Sequence, residues 1–407
     1  MPNRPCWVEI STRALVDNYR FLRAACDGGG LAGDMAVELL AIVKADAYGH
    51  GLGICAPAVV RAGARWLGVT SVEEGVAARA LCPEAEILVI SGPFRGQGAA
   101  VLANRLTPVV WEDWQLDELE IAALTAGAAE QTVSVHLELD TGMSRQGVSA
   151  KDLEAVLERF ETSSPLRLDG LMTHLYAADE ADGATSQEQF ERLAPMVARI
   201  FDAGLRPTLL HAGNSAALLS GEGPRLLSDL CGRYGLRAML RPGLALYGLA
   251  PEFTPEEPAQ VTALRAGLQP VLTWKTRIVS IRSLAAGDVV GYNGTFVASE
   301  PMRIALLAVG YADGLRRELS NCGSVLIPIQ LHGQFEGQPA PIVGRISMDQ
   351  TVVDITELPA AAIGDEVLLI GRQGDAVLSA EDHARWASTI PWEIFTAISA
   401  RVERIEL

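Results

Sequence analysis

The sequence predicts an α/β chain: an N-terminal (β/α)8 barrel of the TIM type followed by a mainly antiparallel C-terminal β domain. Three observations point there. From about residue 35 to 250, short apolar runs alternate with amphipathic helix-like stretches, the pattern of parallel strands joined by crossover helices. Near residue 265 the period changes, and strand-like runs are separated by hairpin-type turn signals. Between the two, Pro251–Pro258 carries three prolines and three glutamates and reads as a connector.

The expected barrel strands are, in order, Leu39–Lys44, Trp66–Thr70, Ile87–Ser91, Thr107–Trp111, Val133–Leu139, Leu168–His174, Thr208–His211 and Met239–Leu246. The first is short, continuous and apolar, as a strand covered on both faces should be. Helix-like segments between them include Val72–Leu81, Asp113–Leu124, Lys151–Phe160, Gln187–Ala203 and Ser215–Leu219. Eight such units in this span match a closed barrel in size, although an open doubly wound sheet would show the same alternation. Beyond the connector, Val271–Leu284, Asp288–Val290, Arg303–Ala308, Ile342–Ile355 and Glu366–Ile370 read as strands. Turns are expected at Ala286-Gly287-Asp288, Asn293-Gly294 and Ala312-Asp313-Gly314. The expected division is a barrel over 13–258 and a β domain over 259–407.

A chain of 407 residues exceeds one ordinary domain, and 49% apolar residues suffice for packed cores. The 33 Lys and Arg against 50 Asp and Glu leave a formal charge of −17, which repels nucleic acid and anionic membranes and leaves small molecules as the expected partners. No apolar stretch reaches the roughly 18 residues of a membrane span. Met1 to Arg13 lacks the apolar core of a signal peptide, so a cytosolic (cytoplasmic) protein is expected. The six cysteines, Cys6, Cys26, Cys55, Cys82, Cys231 and Cys322, form no close pair of the kind that zinc or redox motifs use. Free thiols and no metal follow.

Chemistry gathers at the strand ends. In Glu38-Leu-Leu-Ala-Ile-Val-Lys44-Ala-Asp-Ala-Tyr48-Gly-His-Gly51 an apolar run stops on a lysine and breaks into a glycine-bearing loop. A lysine stem held in low dielectric favours the neutral, nucleophilic amine of Schiff-base chemistry. One that merely snorkels into solvent has no such bias. Asp140-Thr-Gly-Met-Ser-Arg145 follows the fifth strand, His174 ends the sixth, His211-Ala-Gly-Asn214-Ser215 closes the seventh, and Arg241-Pro-Gly243-Leu244 belongs to the eighth. In a barrel these positions share the rim on which active sites of this fold are built.

These motifs resemble a known family. The segment Ala41-Ile-Val-Lys44-Ala-Asp-Ala-Tyr48-Gly-His-Gly51 is similar to the pyridoxal-phosphate attachment site of alanine racemases. Asp140-Thr-Gly-Met-Ser-Arg145, Thr173-His174, His211-Ala-Gly-Asn-Ser215, Arg241-Pro-Gly-Leu-Ala-Leu-Tyr247-Gly and Gly344-Arg-Ile-Ser-Met348-Asp349-Gln350 agree in the same order. The resemblance runs from about residue 5 to the C-terminus. It implies a barrel joined to a C-terminal β domain into which the first dozen residues pack.

Carried over position by position, the resemblance implies pyridoxal 5'-phosphate bound covalently to Lys44, which also acts as the base on the face where the D-enantiomer carries its α-hydrogen. Tyr292, in Gly291-Tyr292-Asn293-Gly294, would be the opposite base, serving the L-enantiomer. Racemisation needs such a pair of proton carriers. Arg241 would face the pyridine nitrogen, and His174 would link Tyr292 to Arg241. Tyr48 and Ser215, with amides near Gly243 and Leu244, would bind the phosphate, although Ser215 and Asn214 would equally suit a helix cap. Arg145 would approach the substrate carboxylate. Met348 would contact the same carboxylate through its backbone amide, supported by Asp349. In the family Tyr292 and Met348 are delivered by the partner chain, so a homodimer with shared sites is implied.

Two positions depart from the family pattern. Many members carry a carbamylated lysine in the strand before Arg145, where Val135-His-Leu-Glu138-Leu-Asp140 has Glu138; this glutamate is expected to supply a built-in carboxylate for Arg145. In Ala397-Ile398-Ser399-Ala400-Arg401-Val402, Ala400 stands where a tyrosine often narrows the pocket. A serine or broad-specificity racemase is therefore the alternative to an alanine enzyme. Related decarboxylases for basic amino acids share the strand-end lysine, but their C-terminal cysteine motif has no match here. Non-catalytic pyridoxal-phosphate-binding proteins resemble only the barrel half. The D-alanine made would serve cell-wall (peptidoglycan) supply or be broken down, and the sequence does not choose.

Overall fold

The computed structural model describes residues 4–27, 37–331 and 334–407. It forms two compact units, so far as their residues are described: Arg13–Ala47 with Cys55–Gln269, and Met1–Thr12 with Tyr48–Ile54 and Pro270–Leu407.

Among the described residues of the first unit, eight strands close into a barrel: Glu38–Ile42, Trp66–Val69, Glu86–Val89, Thr107–Val110, Val133–Glu138, Leu166–Met172, Leu209–His211 and Arg237–Leu240. Every neighbouring pair is parallel, and the last strand pairs with the first through Glu38↔Met239 and Leu39↔Leu240. The closed barrel is thus the correct choice over the open sheet. Leu39, Leu40, Leu67, Ile87, Leu88, Val109 and Leu137 are buried, each contributing about 1.5–3 kcal/mol by leaving water.

Helices follow the strands as the 3.6-residue periodicity requires. Val72–Leu81 begins where expected, with Ser71 accepting the Glu74 amide as its cap. Asp113–Thr125, Ala184–Asp202 and Ser215–Ser220 match their expected segments to within three residues. The expected Lys151–Phe160 helix is shorter, Leu153–Leu157 continued by a 3-10 turn at Glu158–Phe160. The expected last strand, Met239–Leu246, needs correcting: the strand stops at Leu240, and Leu244–Tyr247 is a 3-10 turn. Pro242 has no N–H for a parallel ladder, and so the chain leaves the sheet at Arg241.

The second unit is a mainly antiparallel sheet in the order Gln334–Pro341, Ser324–Leu331, Glu366–Gln373, Leu272–Leu284, Cys6–Ile10, Glu403–Glu406, with Met302–Leu307 and Thr351–Asp354 continuing from Leu272–Leu284. The N-terminal strand pairs antiparallel with Leu272–Leu284 and parallel with Glu403–Glu406. Trp274, fully buried, donates its indole N–H to Cys6 at 3.4 Å. The expected strand Ile342–Ile355 is mostly loop: Thr351–Asp354 is its strand, and Ile342 adds a single antiparallel bridge to Val353. Gly344 has φ 75, and Ser347 turns the chain by bonding Gln350 O from both its amide (3.0 Å) and its hydroxyl (2.8 Å).

Candidate active site

The barrel unit brings the C-terminal strand ends together as a polar cluster. Lys44 lies two residues past its strand and opens a left-handed turn, with Ala45, Asp46, Ala47 and Tyr48 all at φ between 52 and 56. Such backbone costs roughly 1–2 kcal/mol per residue for L-amino acids, and strain of this kind is retained where structure over-determines it. Here Glu74 does so: its carboxylate accepts the Ala45 amide and the Thr70 amide, each at 2.7 Å. Because Ala45 is exposed, Ala45→Gly removes strain and little else; a melting temperature higher by about 1–3 °C is expected, and an unchanged or lower one would contradict this account.

Burial lowers the Lys44 pKa, the positive charges of Arg145 and Arg241 lower it further, and Glu74 opposes them. The amine is biased toward its neutral form, as a snorkelling lysine would not be.

Arg241, 4% exposed, is clamped by three neighbours. Its Nη2 donates to Thr173 O at 2.9 Å and to His174 Nδ1 at 3.1 Å, and its Nη1 to His211 Nδ1 at 3.3 Å. Burial lowers the guanidinium to about 10, leaving it charged at neutral pH. A guanidinium only donates, so both histidines must accept at Nδ1 and carry their proton on Nε2. His211 Nε2 then donates to His136 Nδ1 at 2.8 Å. Burial and the Arg241, Arg145 and Lys44 charges push His174 down to about 3, and burial pushes His136 down to about 3 and His211 well below its usual range. The chain of rings is therefore neutral, its tautomers set by one cation. The His174 segment is fixed by Gln189, whose Nε2 donates to His174 O (3.0 Å) and to Thr141 Oγ1 (2.9 Å).

Glu138, the last residue of its strand, is 2% exposed. Burial raises its pKa, while a hydrogen bond from Gln146 Nε2 at 2.5 Å and the charges of Arg241 and then Arg145 oppose the rise. The expected pairing with Arg145 needs correcting: among the described residues no ion pair joins them, and Arg145 is exposed. Asp140 Oδ1 accepts the Gly142 and Ser144 amides at 2.9 and 3.1 Å, and Ser144 sits at φ 55, so the loop turns tightly just before Arg145. The Glu138 charge acts more strongly with Arg241, whose cation it favours.

Ser215 is buried, and its Oγ accepts the amides of Gly243 (3.0 Å) and Ala245 (3.1 Å), bracketing Leu244. Asn214 caps the helix by accepting the Ala217 amide at 3.2 Å, which leaves Ser215 free of that task. Tyr247 donates to Ile42 O at 2.8 Å, tying this turn to the strand before Lys44.

The remaining predicted residues lie in the second unit. Tyr48 has its phenol pushed up to about 12 by burial, with a hydrogen bond to Trp392 opposing. Tyr292, in a 3-10 turn Tyr292–Gly294, is 67% exposed, and Met348 is 53% exposed. Asp349 binds Arg401 Nη2 at 2.8 Å.

Sequence reasoning passed over Gln146, Glu74, Gln189 and His136. His136 stood two positions before Glu138, on the same face of a strand, and that spacing was the available signal. Glu74 and Gln189 sit on helices and carried none.

Fold and site define a class: a (β/α)8 barrel with a neutral-biased lysine at one strand mouth and a clamped arginine past the end of the neighbouring strand, joined to a mainly antiparallel β unit. The sequence models of two families match, "Alanine racemase, N-terminal domain" over residues 10–251 and "Alanine racemase, C-terminal domain" over residues 271–406. An alanine racemase of Sorangium cellulosum is 37% identical over 98% of this chain and 98% of its own length. The solved alanine racemase of Streptomyces coelicolor A3(2) superposes with a TM-score of 0.85 at 33% identity, covering 99% of this chain and 98% of that one. The solved alanine racemase of Bartonella henselae, described with covalently bound pyridoxal phosphate, gives 0.78 at 28% identity, covering 99% of each. This chain belongs to the alanine racemase family.

Proposed function

We propose that this chain interconverts L- and D-alanine with pyridoxal 5'-phosphate as cofactor, as an isomerase. The observation that carries the reading is the half-buried strand-mouth amine of Lys44, biased toward neutrality beside the clamped, charged Arg241. The residues present fit the cofactor. A neutral amine is the form that joins an aldehyde, and the Ser215 hydroxyl, whose oxygen accepts the Gly243 and Ala245 amides, is left to donate its hydrogen to a phosphate beside the Leu244 amide that those two bonds bracket.

Lys44 would hold the cofactor covalently through Nζ, and Tyr48, Ser215, Gly243 and Leu244 would hold its phosphate. Arg241 would face the pyridine nitrogen, and its permanent charge disfavours protonation there, which limits side reactions. When bound, pyridoxal phosphate supplies an electron sink for the electron pair left by the departing α-proton. Two side chains then move that proton: Lys44 Nζ on one face and the Tyr292 phenol on the other. His174, neutral with Nδ1 occupied by Arg241, keeps a hydrogen on Nε2 that would steady a phenolate oxygen. Arg145 and the Met348 amide, supported by Asp349, would bind the substrate carboxylate. The exposure of Tyr292 and Met348 on their own chain supports a homodimer in which each completes the other copy's site.

Among the described residues no helix is long and apolar enough to cross a membrane. We infer a cytoplasmic enzyme whose D-alanine serves peptidoglycan supply or is broken down. A chiral assay of the purified, coloured protein on alanine, serine and a basic amino acid tests the activity. Alanine should turn over fastest, and faster serine turnover would favour the broader racemase that the small Ala400 would permit.

Glu138→Gln keeps the shape and the bond to Gln146 but removes the charge that favours the Arg241 cation. Cofactor affinity and kcat/KM are expected to fall by roughly tenfold, the size of a one-unit pKa interaction. Cofactor titration and turnover both unchanged would remove Glu138 from the site.

A further inference from the structure

The second unit holds a charge cluster, built around one buried carboxylate, that the mechanism above does not use. Asp313 has a fully buried side chain and receives two arginines. Arg4 donates from Nη2 to Oδ2 at 3.1 Å and makes a closer contact from Nη1 to Oδ1, and Arg401 Nε donates to Oδ1 at 2.7 Å. The Gly310 amide donates to Oδ2 at 2.9 Å. Burial pushes the carboxyl pKa up, but the bonds from Arg4, Arg401 and Gly310 outweigh it and hold the group below its usual range.

The cluster is joined to the Met348 loop through backbone. Tyr311 N–H donates to Ser347 O and Ala312 N–H to Met348 O, each at 3.0 Å. Gly310 packs so closely that a Cβ there would lie 2.4 Å from Ser347 O and Met348 O and 2.5 Å from Asp349 N. On the other side Ser399 N–H donates to Asp313 O at 3.0 Å, and a Cβ on Gly314 would lie 2.4 Å from Ala397 O. Arg401 closes the circuit to Asp349, next to Met348, at 2.8 Å. Residues 310–314, 347–349 and 397–401 are thus one hydrogen-bonded body centred on Asp313. Arg4 enters it from 309 positions away in sequence.

We propose that Arg4 is a positioning residue for the substrate carboxylate: by fixing Asp313 and its turn, it sets where the Met348 amide stands. The proposal rests on the reading of Met348 as a carboxylate contact. Removing Arg4 takes two of the four bonds from a buried carboxylate and leaves Arg401 and the Gly310 amide as its partners; the turn relieves the lost compensation by shifting toward water. A displacement near 1 Å at a binding group is enough to weaken an oriented contact.

The test uses the cofactor-loaded enzyme with Arg4→Ala, Arg4→Lys and Met348→Pro, the last deleting the amide hydrogen. KM and kcat for L-alanine are measured, with the Kd of propionate, a carboxylate of similar size without an amino group, by calorimetry. Arg4→Ala should raise KM and the propionate Kd in parallel by roughly three- to thirtyfold. The kcat should change much less, as for an interaction made equally in ground and transition states. Arg4→Lys keeps the charge but not the fork and should fall between. A lowered melting temperature with KM and propionate binding unchanged overturns the proposal. If Met348→Pro weakens propionate and Arg4→Ala does not, Met348 binds the carboxylate and Arg4 does not position it. If neither weakens propionate, the reading of Met348 fails as well. Should Arg4→Ala not fold, unchanged KM and Kd in Arg4→Lys overturn the proposal.

Discussion

Lys44→Ala yields a folded protein that stays colourless with added pyridoxal phosphate and racemises alanine at least about 10²–10⁴-fold more slowly, the range contributed by a positioned proton carrier alone. The variant removes two functions of one atom: the covalent anchor and the base. Burial and the flanking Arg145 and Arg241 charges bias that amine toward neutrality, the form both functions need. Lys44→Arg sharpens the result, because a guanidinium stays charged and joins no aldehyde. It should be as inactive as the alanine variant. Absorbance spectra before and after borohydride, with a chiral assay, check both variants. A coloured, racemising Lys44→Ala enzyme would contradict the assignment.

Tyr292→Phe removes a single hydroxyl from a side chain that is 67% exposed, so folding should change by no more than about 0.5 kcal/mol. Racemisation should nevertheless fall by roughly 10²–10⁴-fold in both directions. The informative part is an asymmetry. With Lys44 intact, the α-hydrogen of D-alanine should still exchange with deuterated solvent, whereas that of L-alanine should not. Proton NMR of each enantiomer in D2O distinguishes the faces. Equal loss of exchange for both enantiomers would mean that Tyr292 supports the site without carrying a proton.

Much of this was legible in the sequence because the barrel writes its rim as strand-end motifs. Lys44, Glu138, His174, His211 and Arg241 all fall at or just past the ends of parallel strands, where an apolar run gives way to polar residues. What stayed hidden depends on the third dimension. Glu74 and Gln189 hold the Lys44 turn and the His174 segment from helices whose amphipathic pattern gives no reason to single out one polar residue. Glu138 pairs with Gln146 and not with the expected Arg145: spacing does not say which way a loop turns, and here Asp140 turns it. The Ser324–Leu331 and Gln334–Pro341 strands escaped because Pro328, Pro339 and Pro341 break the alternation. The strand expected over Ile342–Ile355 failed for the opposite reason: β-branched residues suggested extension, while Gly344 and Ser347 shape a loop.

The central claim is that this chain moves the α-proton of alanine between two faces. The most direct measurement incubates the coloured enzyme separately with L- and D-alanine in D2O and follows enantiomer composition and α-deuteration together. Enantiomers have equal free energy, so both reactions should converge on a one-to-one mixture, with deuterium at the α-carbon of the product. A coloured enzyme that leaves both enantiomers unchanged and undeuterated would contradict the account.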